Sequence, residues 1–269
     1  MTGFAGVKLL LADVDGTLLT HDKVLTERAQ HAARRLKQKG IRLAITSGRP
    51  PRGMAMLIAP LALEEPIAGF NGGMFARPDL SILESHALDS GIASQTITRL
   101  EELGLDAWVY SGNDWFVRDA AGSHVAHEAG TVQFEPRVVD GYDALLARSA
   151  KIVGVSDDYP RVRQADADLQ RALGRRASVS RSQNYYLDIT HPLANKAAVV
   201  AYHAARLGIA EEAICTIGDG PNDVLMFHKS GCSIAMGNAA DEVKAEAKVV
   251  TESCDDDGFA KAVERYLLA

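Results

Sequence analysis

The chain has 269 residues, 47% of them apolar, 24% charged and 6% aromatic, with a net charge of −6. That length and balance suit one large or two modest globular domains and exclude a disordered, fibrous or disulfide-built chain. The negative charge leaves no basic footprint for nucleic acid or an anionic membrane, so an anionic ligand would need a local positive centre, such as a metal with a few Lys and Arg.

Cys215, Cys232 and Cys254 have no zinc-ligand spacing and read as reduced thiols. The N-terminus runs into a strand-like segment without a charged-then-apolar signal, and no apolar stretch approaches the ~20 residues of a membrane span. A cytoplasmic protein, a monomer or small homo-oligomer with no membrane and no nucleic-acid partner, is expected.

In chain order, Val7–Ala12 is a short apolar run of the kind that forms a strand buried on both faces. Thr26 is a candidate N-cap for a helix reaching about Lys39, with Ala29, Ala33 and Leu36 on one face and Gly40 as its stop. Ile41–Thr46 predicts a second strand, a helix follows Pro50-Pro51, and Pro66–Phe70 predicts a third strand.

The middle third changes rhythm. Ala107–Tyr110 and Trp115–Arg118 read as a hairpin, and Lys151–Val155, Ala177–Ser182 and Tyr185–Thr190 as strands. Helices are expected at Gly91–Leu103 and Pro160–Leu173. His124, His127 and Glu128 read as a solvated polar turn, without H-E-x-x-H spacing.

Alternation resumes with a helix over Asn195–Leu207 and a strand over Ala213–Ile217. Then come a helix from Pro221, a strand at Cys232–Ala235, a helix near Ala239–Ala247, a strand at Lys248–Val250 and a last helix. The fold class is therefore α/β: a doubly wound, mainly parallel sheet built from residues 1–83 and 191–269, with an α+β domain inserted at 84–190.

Ligands of open α/β sheets bind at the carboxyl ends of strands. The first strand ends in Asp13-Val14-Asp15-Gly16-Thr17, where the i, i+2 spacing can turn both acids into one cleft. Taken alone, Asp-Gly also makes an ordinary capped turn. A calcium loop fails, because Leu18 and Val24 stand where it needs Gly and Glu. The second strand ends in Thr46-Ser47-Gly48-Arg49, a candidate phosphate cradle or simply a Ser-Gly turn.

The later strand ends in Gly218-Asp219-Gly220-Pro221-Asn222-Asp223. Carboxylates from two strand ends can share one hard cation. A dinucleotide fingerprint is the rival reading, but Asp223 replaces its third glycine. Lys196 opens a helix, where its charge opposes the dipole unless it faces anions.

Asp, then Ser/Thr, then Lys, then Gly-Asp-x-x-x-Asp, in that order, resembles the four-motif pattern of the haloacid dehalogenase superfamily. The likeness to its Cof-like phosphatase branch runs from end to end, including Gly231-Cys-Ser-Ile-Ala-Met-Gly-Asn-Ala239, Asp257-Gly258 and an α+β cap between motifs two and three.

The resemblance implies a Mg²⁺-dependent phosphatase of small organic phosphate monoesters, sugar phosphates among them. Asp13 would be the nucleophile forming an aspartyl-phosphate, and Asp15 the general acid/base. Asp13, Asp219, Asp223 and the Asp15 backbone carbonyl would serve the metal. Thr46, the Ser47 backbone, Lys196 and Asn222 would position phosphoryl oxygens or the carboxylates that serve them. Arg49 and Asn71-Gly72 would approach a small phosphorylated metabolite, although Asn-Gly is also a turn signal. A phosphomutase of the same superfamily and a non-catalytic phosphate-ligand-binding module are the alternatives.

Overall fold

Leu9, Leu10, Leu11 and Ala12 are all fully buried because successive residues serve two different cores. Leu10 and Ala12 pack into one cluster, with Ala29, Ala32, Ala33 and Leu36 on one side of the sheet. Leu9 and Leu11 pack into another, with Val199, Val200 and Ala204 on the opposite side. That is the burial expected of a parallel strand covered by helices on both faces.

The computed structural model describes residues 4–269. Its large sheet contains β1 (Leu9–Asp13), β2 (Arg42–Thr46), β3 (Ile67–Gly69), β4 (Met74–Ala76) and β5 (Ile82–Ser85) from the first part of the chain. The smaller sheet contains β6 (Asp106–Ser111), β7 (Asp114–Val117), β8 (Arg137–Val138), β9 (Ser149–Val155), β10 (Ser178–Gln183) and β11 (Tyr186–Thr190). The chain then returns to the large sheet with β12 (Ile214–Gly218), β13 (Cys232–Ala235) and β14 (Val249–Val250).

The large sheet runs β14-β13-β12-β1-β2-β3-β4-β5. It is parallel from β14 to β3. The β3-β4-β5 edge is antiparallel. The chain builds outward from β1 through β2, then later from β12 on β1's other side, so the strand order reverses between β1 and β12. Their carboxyl ends border the crevice where such sheets bind ligands.

The helices of the core are α1 (Glu27–Gln38), a single turn α2 (Ala55–Ile58), α6 (Lys196–Leu207), α7 (Val224–Lys229), α8 (Asp241–Ala245) and α9 (Gly258–Ala262). Thr26 caps α1 by accepting from the Ala29 N–H, and Asn195 caps α6 through the Ala198 N–H. The helix expected after Pro50-Pro51 is a 3₁₀ turn over Pro51–Met54 followed by the single turn of α2. Cys215 and Cys232, remote in sequence, are register partners on β12 and β13 as free buried thiols.

The second sheet, ordered β10-β11-β9-β6-β7-β8, forms the cap. Helices α3 (Ser90–Glu102) and α5 (Tyr159–Leu173) cover one face. Helix α4 (Val125–Val132) lies on the other, where Trp108, Tyr110 and Trp115 share a cluster with Phe70 and Met74 of the core.

Two segments correct the sequence expectation. Met74–Ala76 and Ile82–Ser85 were not anticipated; they extend the sheet around a turn in which Arg77 N–H bonds Ser81 O. The segment read as a polar turn at His124–Glu128 is largely the start of α4, since Val125, Ala129 and Val132 form its buried stripe. His124 precedes that helix, stacks on Tyr185 at 4.0 Å between ring centres and pairs with Asp157.

Candidate active site

Asp13 is the last residue of β1 and Thr46 the last of β2, and they face each other as register partners. β12 ends at Gly218, and Asp219-Gly220 leads into the turn carrying Asp223. Three strand ends thus converge with Lys196, the first residue of α6.

Lys196 is completely buried, and its Nζ lies 2.5 Å from Asp13 Oδ1 and 2.5 Å from Asp223 Oδ1. Its unfavourable place at a helix start is explained by these two carboxylates. Burial works against the ammonium, but Asp13 and Asp223 outweigh it and hold the lysine protonated. Asp223 Oδ2 accepts from the backbone N–H groups of Asp219, at 3.0 Å, and Gly220, at 2.8 Å.

Burial also pushes the Asp13 carboxyl well above the usual carboxylate range; Lys196 pulls it down, while Asp223 and Asp219 add to the upward push. Asp219 is raised to about 6, first by burial and then by the charge of Asp223, against a hydrogen bond from Thr17. One carboxylate oxygen from each of Asp13, Asp219 and Asp223 lies within 4.8 Å of the other two. Three carboxylates around one ammonium carry an excess of two negative charges when ionised. An all-oxygen donor set with that excess fits a hard divalent cation such as Mg²⁺.

Asp15 lies just outside this trio. Burial pushes its pKa upward, yet the fork of Arg49 and the ammonium of Lys23 outweigh it and hold the carboxyl below the usual range. Arg49 Nε is 2.7 Å from Oδ2, Arg49 Nη2 2.5 Å from Oδ1, and Lys23 Nζ 2.8 Å from Oδ1.

The hydroxyl of Thr46 is buried without a hydrogen-bond partner among the described residues. Such a group costs about 1–3 kcal/mol unless something fills its place, and a phosphoryl oxygen would. Ser47 is also buried, but its N–H is committed to Ala68 O at 3.0 Å in the sheet, and its Oγ accepts from Arg49 N–H.

Asn222 is exposed and donates to Asn71 Oδ1 at 3.2 Å, tying the β12 turn to the turn after β3. Asn71 sits in the left-handed region at φ 56°. Gly72 is buried, and a Cβ there would lie 3.0 Å from Asn195 O and 2.9 Å from a methyl of Val199. Gly72 thus packs closely against α6. Arg49 is likewise buried, with Nε and Nη2 on Asp15 and Nη1 on Gly53 O and Thr131 O.

Three neighbours were not singled out from sequence. Thr17 Oγ1 donates to Asp219 Oδ1 at 3.1 Å, Asn238 Nδ2 donates to Gly16 O at 2.9 Å and Asp219 Oδ2 at 3.4 Å, and Lys23 reaches Asp15. Thr17 and Asn238 lie within stretches already notable for their motifs. An exposed lysine such as Lys23 carries no signal of its own.

The doubly wound core, the inserted cap and the acid cluster at the switch point together define a haloacid-dehalogenase-like architecture. Residues 10–263 match the haloacid dehalogenase-like hydrolase family, and the chain belongs to it. Within that superfamily it is a Cof-like hydrolase.

Among its relatives, the 5-amino-6-(5-phospho-D-ribitylamino)uracil phosphatase YitU of Bacillus subtilis is 28% identical over 270 residues, covering 96% of this chain and 97% of its own. The pyridoxal phosphate phosphatase YbhA of Escherichia coli is 27% identical over 272 residues, covering 97% and 99%. The crystal structure of a haloacid dehalogenase-like hydrolase from Bacteroides thetaiotaomicron matches with a TM-score of 0.89 at 27% identity, covering 96% of this chain and 99% of that one.

Proposed function

We propose that this chain is a Mg²⁺-dependent phosphatase of small organic phosphate monoesters, sugar phosphates among them, working through an aspartyl-phosphate on Asp13. The observation that carries the reading is the buried Lys196 bridging Asp13 and Asp223 beside Asp219. Names of relatives such as YitU and YbhA, both phosphatases of small metabolites, support it.

In the first half-reaction an Asp13 carboxylate oxygen attacks phosphorus. Lys196 holds Oδ1, which leaves Oδ2 for the attack. The bond from phosphorus to the ester oxygen breaks, its electron pair stays on that oxygen, and Asp15, which takes up a proton when the phosphate dianion lies beside it, supplies that proton. In the second half Asp15, now ionised, takes a proton from water, whose oxygen displaces Asp13 and releases inorganic phosphate. Asp15's ion pairs with Arg49 and Lys23 favour this proton-accepting form.

Asp13, Asp219 and Asp223, with the Asp15 carbonyl, would hold Mg²⁺, which when bound neutralises charge on the phosphoryl group. Thr46 receives one phosphoryl oxygen. Residues 1–83 and 191–269 form the catalytic unit, and the inserted 84–190 region closes over the ester and limits water and substrate size.

The test is phosphate release from a panel of sugar, nucleotide and vitamin phosphates, with and without Mg²⁺, by wild type and Asp13→Asn. Metal-dependent release that disappears in Asp13→Asn is the expected result. Release that persists in pure Asp13→Asn sinks the nucleophile, and turnover that needs a bisphosphate activator and returns phosphate to sugar would make the chain a mutase.

A further inference from the structure

Arg49 is a buried arginine whose guanidinium faces two ways. Toward the core, Nε and Nη2 form a two-pronged fork on the two oxygens of Asp15, at 2.7 and 2.5 Å. Toward the cap, Nη1 donates to the carbonyl of Thr131 at 2.5 Å, with Gly53 O at 3.4 Å as a weaker core partner. Thr131 lies in the last turn of α4. One rigid, planar group therefore touches both the cap and Asp15.

The five N–H donors of a guanidinium are fixed relative to one another, so an acceptor gripping one edge sets the direction of the other. A carboxylate offers about four acceptor sites. Arg49 and Lys23 take two on Asp15 Oδ1, and Arg49 takes one on Oδ2. One site remains, on Oδ2, and its direction is set by the plane of the fork.

We propose that Arg49 is a positioning residue that couples cap closure to the aim of Asp15. Docking of the Thr131 carbonyl completes the acceptor set that holds the fork in plane, and the fork points the remaining Oδ2 site at the departing ester oxygen or the incoming water. With the cap away, Nη1 loses this charge-assisted partner and the fork can swing. Proton transfer through Asp15 is thereby reserved for the closed enzyme. This inference rests on the aspartyl-phosphate reading and adds a residue to it.

Arg52 provides the internal control. It too reaches the cap, with Nη1 2.7 Å from Asp114 Oδ1 and its guanidinium carbon 4.2 Å from the Phe134 ring centre. None of its hydrogen bonds reaches Asp15. Removing Arg52 makes closure less frequent, but in each closed enzyme Arg49 still meets Thr131 and the fork keeps its plane.

The experiment compares kcat/KM for an alkyl phosphate and for p-nitrophenyl phosphate in wild type, Arg49→Gln, Arg49→Lys and Arg52→Ala. An alkoxide must be protonated as it leaves, whereas p-nitrophenolate departs without help. Arg49→Gln is expected to lower kcat/KM at least about 100-fold for the alkyl ester and less than about 10-fold for the aryl ester. It should also release a burst of p-nitrophenol equal to the enzyme before slow turnover, because dephosphorylation needs an aimed Asp15. Arg49→Lys, which keeps the charge but not the fork, should behave like Arg49→Gln. Arg52→Ala should change both esters by the same factor.

Equal losses on both esters in Arg49→Gln and Arg49→Lys, or restoration of alkyl turnover by Arg49→Lys, would overturn the coupling. Arg49→Lys keeps the test decisive where Arg49→Gln does not fold. Aryl ester turnover that survives Asp13→Asn marks instead a failure of the aspartyl-phosphate reading, and both fall together.

Discussion

Lys196 and Asp13 stand 183 positions apart in the chain and meet in the core, Nζ to Oδ1, at 2.5 Å. Because Asp223 lies equally close on the other side, the lysine is the only cation inside the cluster of three acids among the described residues.

Removing that ammonium leaves buried carboxylates facing one another. Lys196→Met should destabilise the fold by about 3–5 kcal/mol at neutral pH and abolish turnover. Urea denaturation measures the first effect and phosphate release the second.

Asp219 is held close to the chain opposite. Gly16 has φ +77°, and a Cβ there would stand 2.5 Å from Asp219 Oδ2. Gly16→Ala should therefore push Asp219 out of the trio and raise the Mg²⁺ concentration for half-maximal activity about 10–100-fold. Backbone strain should add about 1 kcal/mol of destabilisation. A Mg²⁺ titration of activity checks the first, and the urea midpoint the second.

The places of these residues in the fold are largely legible in the sequence. Asp13 and Thr46 end buried apolar strands and Asp219 directly follows one, and the alternation of strands with helices places such ends along one edge of the sheet. Lys196 was conspicuous because it sits where a helix start disfavours it. What stayed hidden depends on pairings that no local pattern encodes. The exposed Lys23 reaching Asp15 is one example, and the Arg49–Thr131 contact across 82 positions is another. The β4–β5 edge was missed because Met74–Ala76 has only three residues, too few to show alternation.

His203 offers a pH test away from the site. It is fully buried, neither ring nitrogen has a partner among the described residues, and burial, then the charge of Arg206, lowers its pKa to about 3. In the unfolded chain this histidine titrates at about 6.5, so below that pH it binds a proton that the folded chain refuses. The contribution is whole above about pH 6.5 and shrinks as pH falls. Between pH 7.5 and 5, wild type should lose about 2 kcal/mol more stability than His203→Leu, measured by urea unfolding at both values.

A cation in the acid trio should stabilise the folded chain independently of turnover. Mg²⁺ at about a hundred times its dissociation constant adds about 2.7 kcal/mol, seen as a rise in the thermal midpoint. Asp219→Ala should show little or no rise at the same concentration.

The most direct measurement follows the phosphoryl group itself. Asp15→Asn is mixed with p-nitrophenyl phosphate and Mg²⁺, quenched in acid within the first turnover, and digested for peptide mass mapping. The expected result is a phosphoryl group on Asp13, accumulating because its hydrolysis lacks the base. Release of p-nitrophenol and inorganic phosphate in step, with every Asp13 peptide unmodified, would contradict Asp13 as the nucleophile.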